Sequence, residues 1–182
     1  MRINDLQKYT ELYDTEKHLF DVVGPRANKR SYLTFEELYK ICMWKSARQK
    51  QKYISAKNRK QVEAITKDAF TEQNEKEKIR KLCELDGVGI PTASAILSVI
   101  FPEKYAVIDV RCLEVLRDEF GQKINKFISS NVWLIYIDLM RRWAEKNNTT
   151  PRKLDMALFA MHREKLEKED FRNLYKQYGL TK

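Results

Sequence analysis

A chain of 182 residues with 43% hydrophobic residues is long enough for one domain with a real core. No run approaches 18 apolar residues, which excludes a membrane-spanning helix, and the opening MRINDLQKYTELYD lacks the apolar core of a secretory leader. A net charge of +9 points to a polyanionic partner, with phosphate contacts giving affinity independent of base sequence; the bland alternative is a Lys-rich solvated surface.

Apolar positions recur at helical spacing from Ile3 to Val23, most clearly at Leu6, Tyr9, Leu12 and Tyr13. GPRANKRS, residues Gly24 to Ser31, reads as a basic turn. Thr34 and Glu37 have capping-box spacing, and Leu38, Ile41 and Cys42 share a helix face that Lys45 extends. After the basic stretch RQKQKYISAKNRK, Val62, Ile65, Ala69 and Phe70 mark the next amphipathic helix. Asn74 is a cap for EKEKIRKLCEL. Pro91 opens a helix that stops before Pro102, Asp109 caps VRCLEVLRDEF, Ser130 or Asn131 caps VWLIYIDLMRRWAEK, and Thr150 with Pro151 starts RKLDMALFAMHREK. DFRNLYKQYG reads as a short final helix or docked tail, and Ala106 to Ile108 as an extended link. The expectation is an all-α fold of about eight helices in one domain over residues 1–182.

Cys42, Cys83 and Cys112 are widely spaced with no CxxC, as buried thiols of a reducing compartment would be. The expected location is cytoplasmic, at the nucleoid in a prokaryote, or nuclear in a eukaryote. His18 and His162 are isolated, so no zinc site is expected. His162 is a minor site candidate beside the simpler reading of a structural histidine.

The most informative segment is LDGVGIPTA. Gly87 and Gly89 permit a tight turn and close backbone approach, while Val88 points inward and small Ala93 lets the two flanking helices pack. The amides of Gly89, Ile90, Thr92 and Ala93 lie at or near a helix start, where unpaired N–H groups and the helix dipole favour phosphate. An ordinary helix–helix corner is the plain alternative. Leu82, Leu85, Ile96 and Leu97 complete a compact pattern at about residues 76–100.

LDGVGIPTA followed by YAVIDVR resembles the helix-hairpin-helix of the endonuclease III, adenine glycosylase and 8-oxoguanine glycosylase superfamily, which reads roughly LPGVGxKTA with an aspartate closing a V-(V/I)-D segment. The resemblance is specific over residues 82–116 and absent before residue 60. It implies a helical DNA-glycosylase-like fold and double-stranded DNA as partner. It places Gly87, Val88, Gly89, Ile90, Thr92 and Ala93 on the DNA backbone. Asp109 falls on the catalytic aspartate and Pro91, 18 residues earlier, on the catalytic lysine. In several members the carbonyls matching Cys83, Leu85 and Val88 hold a monovalent cation, the one candidate cofactor. The cysteine cluster of relatives is missing, so no iron–sulfur cluster is expected.

Asp109 has two readings. It is a good N-cap, or it is a carboxylate that stabilises a cationic sugar and orients water as an N-glycosidic bond breaks. Proline has no amine for a Schiff base, and nothing in the sequence brings another lysine, such as Lys81 or Lys104, into the pocket. The expectation is therefore a monofunctional glycosylase, an enzyme without lyase activity. The alternatives are a non-catalytic helix-hairpin-helix DNA-binding protein and a helical interaction scaffold. Lys45, Arg48 and Arg111 are the expected DNA contacts. Arg111 has Glu114 and Asp118 as alternative partners. Tyr53 and Trp44 are candidates for base stacking, with the core as the simpler home for Trp44.

Overall fold

Side-chain caps set most of the helix starts. In a computed structural model that describes residues 15–177, these helices account for all the regular structure, and no strand occurs among the described residues. Leu6, Tyr9, Leu12 and Tyr13 lie outside that span. In chain order the elements are α1 (Thr15–His18), a π-helical turn (Leu19–Val23), α2 (Gly24–Arg30), α3 (Phe35–Lys45), a 3-10 turn (Ala47–Gln49), α4 (Lys50–Tyr53), α5 (Ala56–Thr71), α6 (Glu75–Leu82), α7 (Ile90–Ile100), α8 (Val110–Asp118), α9 (Ser130–Lys146) and α10 (Pro151–Gln177).

The Thr34–Glu37 capping box forms, Asn74 accepts the Glu77 amide, and Pro91 lies in the first turn of α7. Three expectations change. GPRANKRS is helical, because the π turn carries the chain on without a break and Pro25 occupies the first turn of α2, where its missing N–H is harmless. The α9 cap is Ser129, whose hydroxyl accepts the Val132 amide, one residue ahead of the expected Ser130 or Asn131. The C-terminal segment is one helix of 27 residues, since nothing between Pro151 and Gln177 breaks it.

The core is organised on α7, in which Thr92 to Ile100 are all buried. It packs against α2, the π turn, α3 and α6, while α8, α9 and α10 pack together beyond it. Gly24 permits the closest of these approaches. A Cβ there would stand 2.2 Å from the Val99 carbonyl oxygen, a backbone atom that cannot swing aside. Gly24→Ala is therefore expected to cost about 1–3 kcal/mol by forcing α2 off α7. It should be read as a lower urea midpoint with an unchanged slope.

The hairpin is fastened from behind by Asn58, which is fully buried. Its amide donates to the Asp86 carbonyl at 3.0 Å and the Tyr53 carbonyl at 3.1 Å, and its side-chain oxygen accepts the Asp86 amide at 2.9 Å. Gly87 has φ +82°, and a Cβ there would meet the Tyr53 ring at 2.8 Å. Gly87 thus serves both the left-handed turn and the packing of Tyr53 beneath it. Among the described residues no helix is long and apolar enough to cross a membrane.

Candidate nucleic-acid interface and catalytic cleft

The end of α3, the 3-10 turn, the hairpin, the start of α8 and the inner face of α10 surround one cleft of about 1710 Å³. Asp109 lies in it, on a segment pinned by side chains instead of a β-ladder. The Val107 amide donates to Asp155 at 2.6 Å, the Ile108 amide to the Ser94 hydroxyl at 3.0 Å, and the Tyr136 hydroxyl to the Val107 carbonyl at 3.0 Å. The expected extended link at Ala106 to Ile108 is thus held from three helices. Ser94 in turn donates to the Pro91 carbonyl at 2.8 Å, tying this segment to the hairpin.

The geometry shows Asp109 as an N-cap and sets its second oxygen at the cleft wall. One carboxylate oxygen accepts the Arg111 amide at 3.0 Å and caps α8. The other accepts Lys45 Nζ at 2.6 Å. Side-chain exposures of 24% for Asp109 and 14% for Lys45 put this pair at the cleft wall, reachable from the opening. Burial pushes the Asp109 carboxyl up. The Lys45 charge and hydrogen bond and the Arg111 amide outweigh burial and hold it below its ordinary value. Asp109 is therefore an anion at neutral pH.

A lysine does enter the pocket, contrary to expectation, and it comes from α3. Lys81 instead pairs with Asp68 and Glu72, and Lys104 is not among the cleft residues. The signal for Lys45 was its helical register with Leu38, Ile41 and Cys42, which sets it at the edge of a buried face. Its partner Asp109, 64 residues away, had no local signature.

A second carboxylate, Asp155, lines the same cleft and was not anticipated. It pairs with Arg152, three residues earlier on α10, and Arg152 also pairs with Glu16 of α1. Burial pushes the Asp155 carboxyl up to about 7, against the pull of Arg152 and the Val107 amide. Its side chain is 3% exposed and both oxygens are engaged, so it positions the Asp109 segment.

The hairpin residues divide by exposure. Gly89 is exposed, and the space where a Cβ would sit is open apart from Pro91 at 3.9 Å. Ile90 is half-buried beside it, while Val88, Thr92 and Ala93 are buried. The Ala93 amide donates to the Gly89 carbonyl at 2.8 Å, so it is spent within the helix. This leaves Gly89, which lines the cleft, and Ile90 as the more accessible residues at the start of α7. The Leu85 carbonyl accepts the Val88 amide at 3.0 Å. Lys57 Nζ lies on the Glu84 carbonyl at 2.5 Å and already brings a positive charge to that turn.

Arg48 is exposed at the cleft edge, with Lys52 beside it. Arg111 is exposed, and its guanidinium stands over the Phe159 ring at 5.0 Å. It pairs with neither expected acid, since Glu114 meets His162 at 2.8 Å and Asp118 meets Lys165. His162 is buried in that contact and does not line the cleft, which is the structural reading. Tyr53 is 1% exposed and donates to the Ser46 carbonyl, so it supports the hairpin and is not available to stack on a base. Trp44 is edge-on to Phe20 at 5.7 Å with Arg152 over it at 5.4 Å, packed against the core while bordering the cleft.

Burial pushes the Cys42 and Cys112 thiols up to about 12 and Cys83 up to about 11, so none supplies a thiolate at neutral pH. Among the described residues no group of three or more His, Cys, Asp or Glu is placed to hold a metal ion. No protein-family model, curated protein or solved structure matches this chain.

Proposed function

We propose that this protein binds double-stranded DNA and acts as an N-glycosylase, releasing a modified or mismatched base into the cleft with Asp109 assisting hydrolysis. The observation that carries this reading is the placement of an ionised, partly exposed Asp109 in an open cleft that also contains the exposed start of the glycine hairpin. A nucleotide must leave the stack for its glycosidic bond to be reached, and a concave pocket of this size admits one. The Gly89 and Ile90 end of α7 holds a phosphate, and Arg48 and Arg111 neutralise neighbouring ones. Asp109 then faces the sugar. Its charge stabilises the developing oxocarbenium ion, and its free lone pairs orient a water toward C1′. Pro91 supplies no amine, so base release is hydrolytic. A monovalent cation on the carbonyls of Cys83, Leu85 and Val88 would add charge beneath the phosphate.

An unfilled cleft with a carboxylate at its wall favours this reading over a purely binding module, whose interhelical groove would be packed shut. The binding half is tested with Arg48→Ala. The substitution is expected to weaken binding about equally across unrelated duplexes and to lower the salt slope by about 1, as loss of one phosphate contact requires. An unchanged slope would remove Arg48 from the interface. The catalytic half is tested by looking for free base after incubation with damaged duplexes.

A further inference from the structure

The two carboxylates of the cleft wall differ in how many cations they have. Asp109 has one of its own, since Lys45 Nζ donates to it at 2.6 Å, and the Arg111 amide is a second donor. Asp155 shares its cation. The guanidinium of Arg152 pairs with both Asp155 and Glu16, so two carboxylates face one positive charge and the trio is negative when all are ionised. All three side chains line the cleft. The excess charge does not settle evenly. Glu16 keeps 42% of its side chain in solvent and Asp155 only 3%, so water screens the first carboxylate and not the second. Burial accordingly pushes the Asp155 carboxyl up to about 7, while Asp109 stays below its ordinary value. The remaining groups that face Asp155 take up no proton themselves. Lys45 of α3 is spent on Asp109. Burial pushes the Cys112 thiol of α8 up to about 12 and the Tyr136 hydroxyl of α9 well above its ordinary value, so both are already protonated.

We infer that the cleft takes up one proton, on Asp155, when it binds a phosphate backbone, and that Arg152 passes from Asp155 to a phosphate oxygen. A phosphodiester in the cleft brings negative charge to a wall that already has an excess of it. Asp155 is the carboxylate that gives way, because it alone has neither solvent nor a cation of its own. A proton from solvent joins Oδ1, the oxygen that Arg152 Nη1 had held, and that N–H turns to the phosphate. Arg152 Nε has no partner among the described residues, so the guanidinium is short of acceptors before DNA arrives. Asp155 Oδ2 still accepts the Val107 amide, and Asp109 keeps its place. The direction with pH follows from linkage. Affinity rises as pH falls from the carboxyl's higher value in the complex toward its value of about 7 in the free protein. One proton sets a limit of about tenfold per pH unit, and the rise levels off once Asp155 is protonated before DNA binds. The proposal rests on the DNA-binding half of the reading above and is independent of base release.

The test is calorimetry of the full chain with an undamaged duplex, at about pH 7.5 and fixed salt, repeated in buffers of different ionisation enthalpy. The slope of the binding enthalpy against that of the buffer counts the protons taken up. Wild-type protein is expected to take up roughly 0.5–1 proton per complex. Asp155→Asn removes the titrating group and keeps an oxygen for the Val107 amide, so the slope should fall to near zero and the affinity should lose its dependence on pH. Glu16→Gln gives Arg152 a single carboxylate to pair with, and should cut the slope to less than half. It alters a side chain that solvent reaches, so it decides the matter if Asp155→Asn fails to fold. Binding by the wild type with no proton uptake would overturn the proposal. So would a slope that persists in folded Asp155→Asn or, if that variant does not fold, in Glu16→Gln. No binding of any duplex, by fluorescence anisotropy as well as by heat, would remove the DNA-binding reading itself and this proposal with it.

Discussion

Asp109→Asn is expected to lower base release by about 10²–10⁴-fold, the range associated with loss of a positioned acid–base group. The substitution separates chemistry from architecture. Asparagine is as good an N-cap as aspartate, so the oxygen that accepts the Arg111 amide is retained and α8 still starts at Val110. The negative charge opposite Lys45 is lost. The variant should therefore unfold near the wild-type midpoint and bind undamaged duplex with similar affinity, while single-turnover release collapses. A fall in release matched by an equal fall in DNA affinity would return Asp109 to the role of a cap. The carboxyl is held below its ordinary value, so its deprotonated form persists as pH falls through the neutral and mildly acidic range. Loss of activity assigned to Asp109 should set in only at strongly acidic pH, below the ordinary carboxylate value.

Asn58→Leu is expected to cost about 3–5 kcal/mol of stability, more than any substitution at the exposed hairpin surface. Leucine approximates the volume but removes every polar contact. The Asp86 amide, the Asp86 carbonyl and the Tyr53 carbonyl lose their partner together, and each buried group left unpaired costs about 1–3 kcal/mol. Partial exposure of Asp86 lets water recover some of that. The effect should extend beyond stability, because Asn58 joins α5 to the turn that presents Gly89. At a temperature where the variant is still folded, DNA affinity should fall and amide exchange across residues 83–89 should quicken. Wild-type exchange at that turn in a stable variant would show that Tyr53 alone holds it.

Much of the fold was legible because capping and periodicity are local. Thr34 with Glu37, Asn74, Asp109 and Thr150 with Pro151 each announced a helix start that the structure contains. Departures arose where distant contacts decided. Gly24 reads as a breaker, yet its missing side chain is what the Val99 carbonyl requires of a helix packed that closely. Tyr53, a stacking candidate from its place among basic residues, and Ala93, set on the DNA backbone by the resemblance, are both buried by packing against distant parts of the chain. The site was legible in half. A glycine turn followed by an aspartate marked the hairpin and Asp109, but the places of Asp155 and Asn58 and the pairing of Lys45 with Asp109 depend on contacts across 28 to 64 residues that no short pattern encodes.

The most direct measurement is base release from duplex oligonucleotides that each carry a single modified or mismatched base, read as strand cleavage after hot alkali. The account predicts alkali-revealed cleavage for at least one lesion with wild-type protein, free base in the supernatant, and loss of both in Asp109→Asn. Salt-sensitive binding across the panel with no base released from any duplex would contradict it and leave a helix-hairpin-helix DNA-binding protein in its place.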